Sequence, residues 1–255
     1  MPVPFLPDYI RCSFNSERET DTGYEPGKVD LFFATSLDLA SRFDELSLLI
    51  SPEERLRAGK MIVGDTRDIF IMSHAVLRIC LSRYLEIDPL EIDFSITKNS
   101  KPFLNNLPLH FNISHTSGAF VIAVSPRTYV GVDIEQVRHM NEFHSVARSF
   151  FSKREQDFIF SKEEEVDERF LLLWTRKESL LKALGTGMID RLDLVEVSGG
   201  ENIIDRDIFS DLTDGVPSVN HYIYSMKQLN YIISLAVPGL AMTDFHHLKS
   251  TDLIS

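Results

Sequence analysis

Cysteine is almost missing from this chain: Cys12 and Cys80 are the only two, with no C-x-x-C spacing, so neither a zinc site nor a disulfide framework can be read from it. Long apolar runs are missing as well. No stretch approaches the about 18 consecutive apolar residues that a membrane-spanning helix needs. Residues 1–28, rich in Pro, Ser and Glu, lack the basic-then-apolar order of a secretory signal and read as an irregular extension. The expectation is two reduced thiols, no membrane insertion and a cytoplasmic location. Positive charge is also short, with 26 Lys and Arg against 38 Asp and Glu and a net charge of −12. That balance excludes a broad nucleic-acid surface, because a phosphate backbone needs a basic field. Any anion site must be a local basic pocket. No G-x-S-x-G elbow is present to support a serine nucleophile.

What is present is an ordinary globular composition, 44% hydrophobic and 25% charged over 255 residues, enough for one large domain or two half-size ones. The order of elements is written twice. An apolar strand at 29–34 precedes Ser51-Pro-Glu-Glu54, which has the form of a capping box with Pro in the first turn. A long amphipathic helix is predicted over 66–85, then strands near 92–96, 110–114 and 120–124. A strand at 129–135 opens the second series. Ser152-Lys-Arg-Glu155 supplies a second capping box, a helix is predicted over 167–184, and strands follow near 194–197, 221–224 and 231–237. The fold class is therefore α+β, a pseudo-dimer of two similar halves, 29–127 and 128–255, with the cleft between them the natural place for a ligand. His246-His247 read as a solvated pair in a polar tail.

Three segments carry chemistry. In Gly131-Val-Asp-Ile-Glu135, side chains alternate along a strand, so Asp133 and Glu135 share one face. Two adjacent carboxylates repel unless a cation lies between them, and a hard divalent ion that keeps waters and phosphate ligands would fit. Taken alone, the pair reads more readily as a solvated acidic strand face. In Trp174-Thr-Arg-Lys-Glu178-Ser-Leu-Leu-Lys182-Ala-Leu-Gly185, a helical apolar stripe places Glu178 at its border and Lys182 one turn on, with Gly185 closing the helix. Alone, Glu178 and Lys182 would be an exposed i, i+4 ion pair, although Trp174 sets them beside the core. Lys101-Pro102 and then Phe111-Asn-Ile-Ser114-His115 offer phosphate-directed donors, while a lone loop histidine ordinarily just satisfies a nearby carbonyl.

Together, K-P, F-N-x-S-H, G-x-D-x-E and W-x-x-K-E-S-x-x-K, in this order between Lys101 and Gly187, resemble the motif series of the 4′-phosphopantetheinyl transferases of the surfactin-synthetase-activating type. The resemblance implies a monomer of two similar halves that uses Mg²⁺ and coenzyme A to modify a serine of an acyl or peptidyl carrier protein. It implies that Asp133, Glu135 and Glu178 bind the metal and that Glu178 and Lys182 are catalytic. Arg57, Lys101, Pro102, Ser114 and His115 would bind coenzyme A, with Lys101 and Pro102 at the adenosine 3′-phosphate end. Two positions depart from the pattern: Ser100 stands where glycine commonly precedes Lys-Pro, and Ile69 where many relatives carry arginine, with Arg67 as the substitute. Because carrier proteins are usually acidic and this chain is too, docking would rest on an apolar patch with local basic residues. The rival readings are a metal-dependent phosphohydrolase and a non-catalytic binding module of the same fold.

Overall fold

The computed structural model describes residues 27–253 apart from 63, 106, 108, 141–142, 200 and 203–220, so most of the N-terminal extension lies outside the described residues. β1 (Gly27–Thr35) leads through two short helices, α1 (Ser36–Leu39) and α2 (Phe43–Leu48), to α3 (Pro52–Gly59) and the long α4 (Asp65–Leu85). A small hairpin of β2 (Phe94–Ile96) and β3 (Pro102–Leu104) follows, then β4 (His110–Thr116) and β5 (Ala119–Ser125). The second series runs β6 (Gly131–Gln136), α5 (Phe143–Phe150), α6 (Lys153–Phe160), α7 (Val166–Leu184), β7 (Glu201–Asn202), β8 (His221–Gln228), β9 (Tyr231–Pro238) and β10 (Ala241–His247). The two-lobed α+β architecture expected from the repeated element order is the one observed.

Two four-stranded sheets result, in the orders β10-β1-β5-β4 and β6-β9-β8-β7. Their strands alternate between two cores, as a period of two requires. Val29, Leu31 and Phe33 of β1, Val121 and Ala123 of β5, Val132 and Ile134 of β6 and Ile233 and Leu235 of β9 form one core between the sheets. The intervening residues Phe120, Ile122 and Val124 pack against α4, and Ile232 and Ala236 pack against α7. The layers are therefore helix, sheet, sheet, helix. Both faces of β5 are covered, which explains why all of it is buried. Asp133 and Glu135 take the helix-facing side of β6.

Each half contains the same lock. In the first, the Ser51–Glu54 capping box starts α3, and the Glu54 carboxylate also accepts from Arg78 Nε of α4 at 2.8 Å. Arg78 Nη1 then donates to Pro89 O and Ile92 O, both at 2.9 Å. In the second, the Ser152–Glu155 box starts α6, and Glu155 meets Lys177 of α7 at 2.9 Å with both side chains 0% exposed. Lys177 Nζ donates to Leu192 O and Val195 O, two carbonyls with the same three-residue spacing.

This lock explains where one sequence expectation failed. Residues 194–197 are not a strand: their polar backbone groups are taken by side chains, Val197 N by Glu155 at 2.8 Å and Val197 O by Arg176 Nε at 2.6 Å. With those groups spent, no ladder forms. The histidine pair is corrected too. His246 and His247 lie on β10, which pairs in parallel with β1, and they meet Asp30 at 3.0 Å and Asp38 at 2.8 Å. The last strand thus belongs to the sheet of the first half. Among the described residues no helix is long and apolar enough to cross a membrane.

Removing one member of a buried ion pair leaves the other charged and unpaired, at a cost of about 3–5 kcal/mol. Lys177→Ala should lower the unfolding free energy obtained from urea titration by that amount. Lys153→Ala, which breaks only the exposed pair with Asp157, should cost about 0.5 kcal/mol or less.

Candidate active site

The site forms where an edge of one sheet meets an edge of the other. β6 is the outer strand of its sheet, so its outward backbone groups need partners. β4, the outer strand of the other sheet, meets it with side chains, one on a backbone N–H and two on carboxylates. Asn112 Oδ1 accepts from Val132 N at 2.8 Å, Ser114 Oγ donates to Asp133 Oδ1 at 2.8 Å, and Thr116 Oγ1 donates to Glu135 Oε2 at 3.1 Å. The alternating polar residues of β4 therefore face the carboxylates of β6 in step.

α7 covers the same carboxylates because Gly131 lets it close in. A Cβ at Gly131 would lie 2.0 Å from Ser179 O and 2.2 Å from Ala183 N, so only glycine permits this contact. The last turns of the helix then reach Asp133. Lys182 Nζ donates to Asp133 Oδ1 at 2.6 Å and to Ser114 Oγ at 2.8 Å, which leaves one of its three N–H groups for a further acceptor. Lys182 thus turns to Asp133 rather than forming the surface pair with Glu178. The buried Lys177 one residue earlier fixes the rotation of α7, so that Glu178 faces the site.

Negative charge is crowded here. The pKa of Glu178 is raised by burial and then by Asp133, with Glu135 adding to it. That of Glu135 is raised by burial and then by Asp133. Asp133 Oδ2 is buried without a hydrogen-bond partner. Among the described residues no group of three metal-ligating side chains is already spaced as a closed cage. An orphaned carboxylate oxygen beside two destabilised carboxylates nevertheless fits a hard cation that takes few protein ligands and completes its shell with water and phosphate.

A cleft of about 230 Å³ opens beside this cluster, lined by Lys101, Pro102, Asn112, Glu178, Lys182 and Met188 among others. His115 points to the opposite side of β4 from Ser114. Its pKa is lowered by partial burial and then by Lys182 and Arg57, which keeps the ring neutral near pH 7. Arg57 lies over the Phe70 ring at 5.2 Å. His74, whose pKa burial pulls down to about 4, feels both Arg57 and His115. Arg67 is turned to Asp68 at 3.2 Å and Ile69 is buried in the first core, so this basic corner consists of Arg57, His115 and His74. Ser100 has φ 63°, the left-handed region, which is the physical reason glycine suits that turn. Lys101 lines the cleft but turns its ammonium to backbone carbonyls, Val130 O at 3.1 Å, Lys182 O at 2.5 Å and Ala183 O at 3.4 Å.

The sequence motifs thus converge in space, and two family models cover them. One, described as the 4′-phosphopantetheinyl transferase superfamily, matches residues 129–220. The other, described as 4′-phosphopantetheinyl transferase, N-terminal, matches residues 39–127. The 4′-phosphopantetheinyl transferase HetI of Nostoc sp. is 31% identical over 163 residues, which is 62% of this chain and 68% of that protein.

This chain belongs to the 4′-phosphopantetheinyl transferase superfamily.

The 4′-phosphopantetheinyl transferase Sfp of Bacillus subtilis is 33% identical over 150 residues, 58% of this chain and 66% of the relative. The mouse L-aminoadipate-semialdehyde dehydrogenase-phosphopantetheinyl transferase is 30% identical over 152 residues, 54% of this chain and 49% of its own length. The seam between the two matched families falls where the chain passes from β5 to β6. Within this superfamily member, the contacts that sequence reasoning did not assign are those of Asn112, Thr116, Gly131, Lys177 and His74. The signal for the first two was legible, since Asn112, Ser114 and Thr116 are alternate polar residues on one strand face.

The crowding has a thermodynamic consequence. A carboxyl whose folded-state pKa is raised holds its proton to higher pH than in the unfolded chain, so ionising it costs stability above that pKa and nothing below about pH 4. Glu178→Gln should therefore raise Tm at pH 7.5 in metal-free buffer, and the gain should vanish as pH falls to about 4. An unchanged Tm at pH 7.5 would show that the neighbouring carboxylates do not destabilise Glu178.

Proposed function

We propose that this chain transfers the 4′-phosphopantetheine arm of coenzyme A to a serine of an acyl or peptidyl carrier protein, releasing 3′,5′-ADP, as a member of the surfactin-synthetase-activating type. The halves at 29–127 and 128–255, preceded by the extension at 1–28, would form one site within a monomer. The observation that carries the reading is the meeting of Ser114, Asp133 and Lys182 beside Glu135 and Glu178. It gives a diphosphate one end that neutralises charge and another that attracts a cation. Asp133, Glu135 and Glu178 would hold Mg²⁺, which when bound draws pyrophosphate oxygens together and offsets their charge.

The residues of the chain do the rest. In phosphoryl transfer, positioning and charge neutralisation matter more than covalent chemistry by the protein. The carrier serine oxygen bonds to the β-phosphorus of coenzyme A while the bond from that phosphorus to the 3′,5′-ADP oxygen breaks. Lys182 directs its remaining N–H toward the departing phosphate. Glu178 accepts the serine proton, a task that burial and the neighbouring Asp133 favour by raising its pKa above the usual carboxylate range. His115, neutral, and Arg57 donate to the coenzyme's phosphates, and Pro102 shapes the wall of the cleft.

Intact mass measurement of an apo carrier protein incubated with coenzyme A, Mg²⁺ and this protein should show the gain of one phosphopantetheine arm. Asp133→Asn should abolish the gain. Phosphate release without any carrier would point instead to a phosphohydrolase, and no gain across fatty-acid, polyketide and nonribosomal-peptide carriers would point to a binding module. Lys182→Ala should lower kcat by about 10²-fold while KM for coenzyme A changes only a few-fold.

A further inference from the structure

The hairpin of the first half reaches across to the end of α7. A helix leaves its last four carbonyls without intrahelical partners. In α7 these belong to Leu181, Lys182, Ala183 and Leu184. Leu181 O accepts from Gly185 N at 2.8 Å. Lys182 O and Ala183 O accept from the Lys101 ammonium, which also donates to Val130 O, just before β6 begins. Asn99, from the same turn, donates to Gly185 O at 2.8 Å. The turn itself is rigid, closed by Thr97 N to Lys101 O at 2.9 Å and Lys101 N to Thr97 Oγ1 at 3.0 Å.

An ammonium has three N–H groups, and all three of Lys101 are directed to carbonyls. None is left to receive a phosphate. The two elements it joins, the end of α7 and the start of β6, are the ones that bring Glu178 and Lys182 against Asp133. A cation here also opposes the negative end of the helix dipole.

We propose that Lys101 is a positioning residue: it caps α7 from the opposite half and sets where Glu178 and Lys182 meet Asp133, and it does not clasp the 3′-phosphate of the substrate. This inference rests on the transferase reading and deepens it.

The test compares coenzyme A with 3′-dephospho-coenzyme A, using the full chain and Lys101→Met, which keeps the stem and deletes the charge. Wild-type transfer with coenzyme A is the control for the transferase reading itself. Its absence would defeat that reading and leave the cap to be judged by hydrogen exchange. A cap lost from α7 displaces its catalytic side chains, and misplacement of about 1 Å costs about 10²-fold. Lys101→Met should therefore lower kcat by about 10–100-fold with both substrates, with KM for coenzyme A nearly unchanged. Amide exchange in residues 182–186 should quicken while that of α4 stays the same. Lys101→Arg should restore kcat only in part, because the longer guanidinium must shift the carbonyls that now lie 2.5–3.4 Å from Nζ. A loss confined to coenzyme A, a rise in KM alone, full activity with arginine, or unchanged exchange at the end of α7 would each overturn the proposal.

Discussion

The contact between β6 and α7 at Gly131 sets everything else in the site. Backbone lies against backbone there, closer than any side chain would permit. That closeness lets a lysine on the last turn of a helix touch an aspartate on a strand, and it keeps a third carboxylate, Glu178, within electrostatic reach of the first two. A looser packing would leave the same residues as separate, solvated charges. The chemistry depends on their crowding.

Such crowding has to be held against its own repulsion, and the fold does so with buried cations. Lys177 and Arg176 grip the segment 192–199 on the core side of α7, while Glu178 faces the opposite way, into the site. Lys177 is fully saturated by a carboxylate and two carbonyls, the condition under which a buried ammonium is tolerated. Lys101 performs a similar service from outside the helix, although burial depresses its pKa to about 8. Three lysines near one helix therefore have three different settings: Lys177 is buried in the core, Lys101 lies on the carbonyls at the helix end, and Lys182 faces Asp133 beside the cleft.

The duplication shows which part of this is scaffold. Arg78 and Glu54 repeat the Lys177–Glu155 lock in the first half, yet the residue after Arg78 is Ile79 where the residue after Lys177 is Glu178. Asp30, on the helix-facing side of β1, is the counterpart of Asp133, but Tyr84 and His246 take up its oxygens. β10 lies beside β1 much as β4 lies beside β6, and the cleft of about 480 Å³ there is lined by Asp30, Tyr84 and His246 rather than by a carboxylate cluster. One frame thus occurs twice, and the second half carries Asp133, Glu135, Glu178 and Lys182 together.

Much of this was legible in the chain. Period-two apolar alternation, two capping boxes and the glycine after Leu184 located strands, helices and their ends, because those signals depend on neighbours within a few residues. Alternation and helical repeat placed Asp133 and Glu135 on one face and Glu178 one turn from Lys182, but read alone these were solvated charges, and only the order of the whole motif series joined them into a site. What the sequence left open was every contact between distant segments. Lys101 was expected at a phosphate, and its ammonium lies against the carbonyls of Val130, Lys182 and Ala183. Residues 194–197 read as a strand, but buried side chains took their backbone groups, and His246-His247, read as merely solvated, pair with aspartates on β1 and α1. A lysine, a β-rich run and a histidine pair each have several ways to satisfy their polar groups, and only the packed chain determines which partner is within about 3 Å.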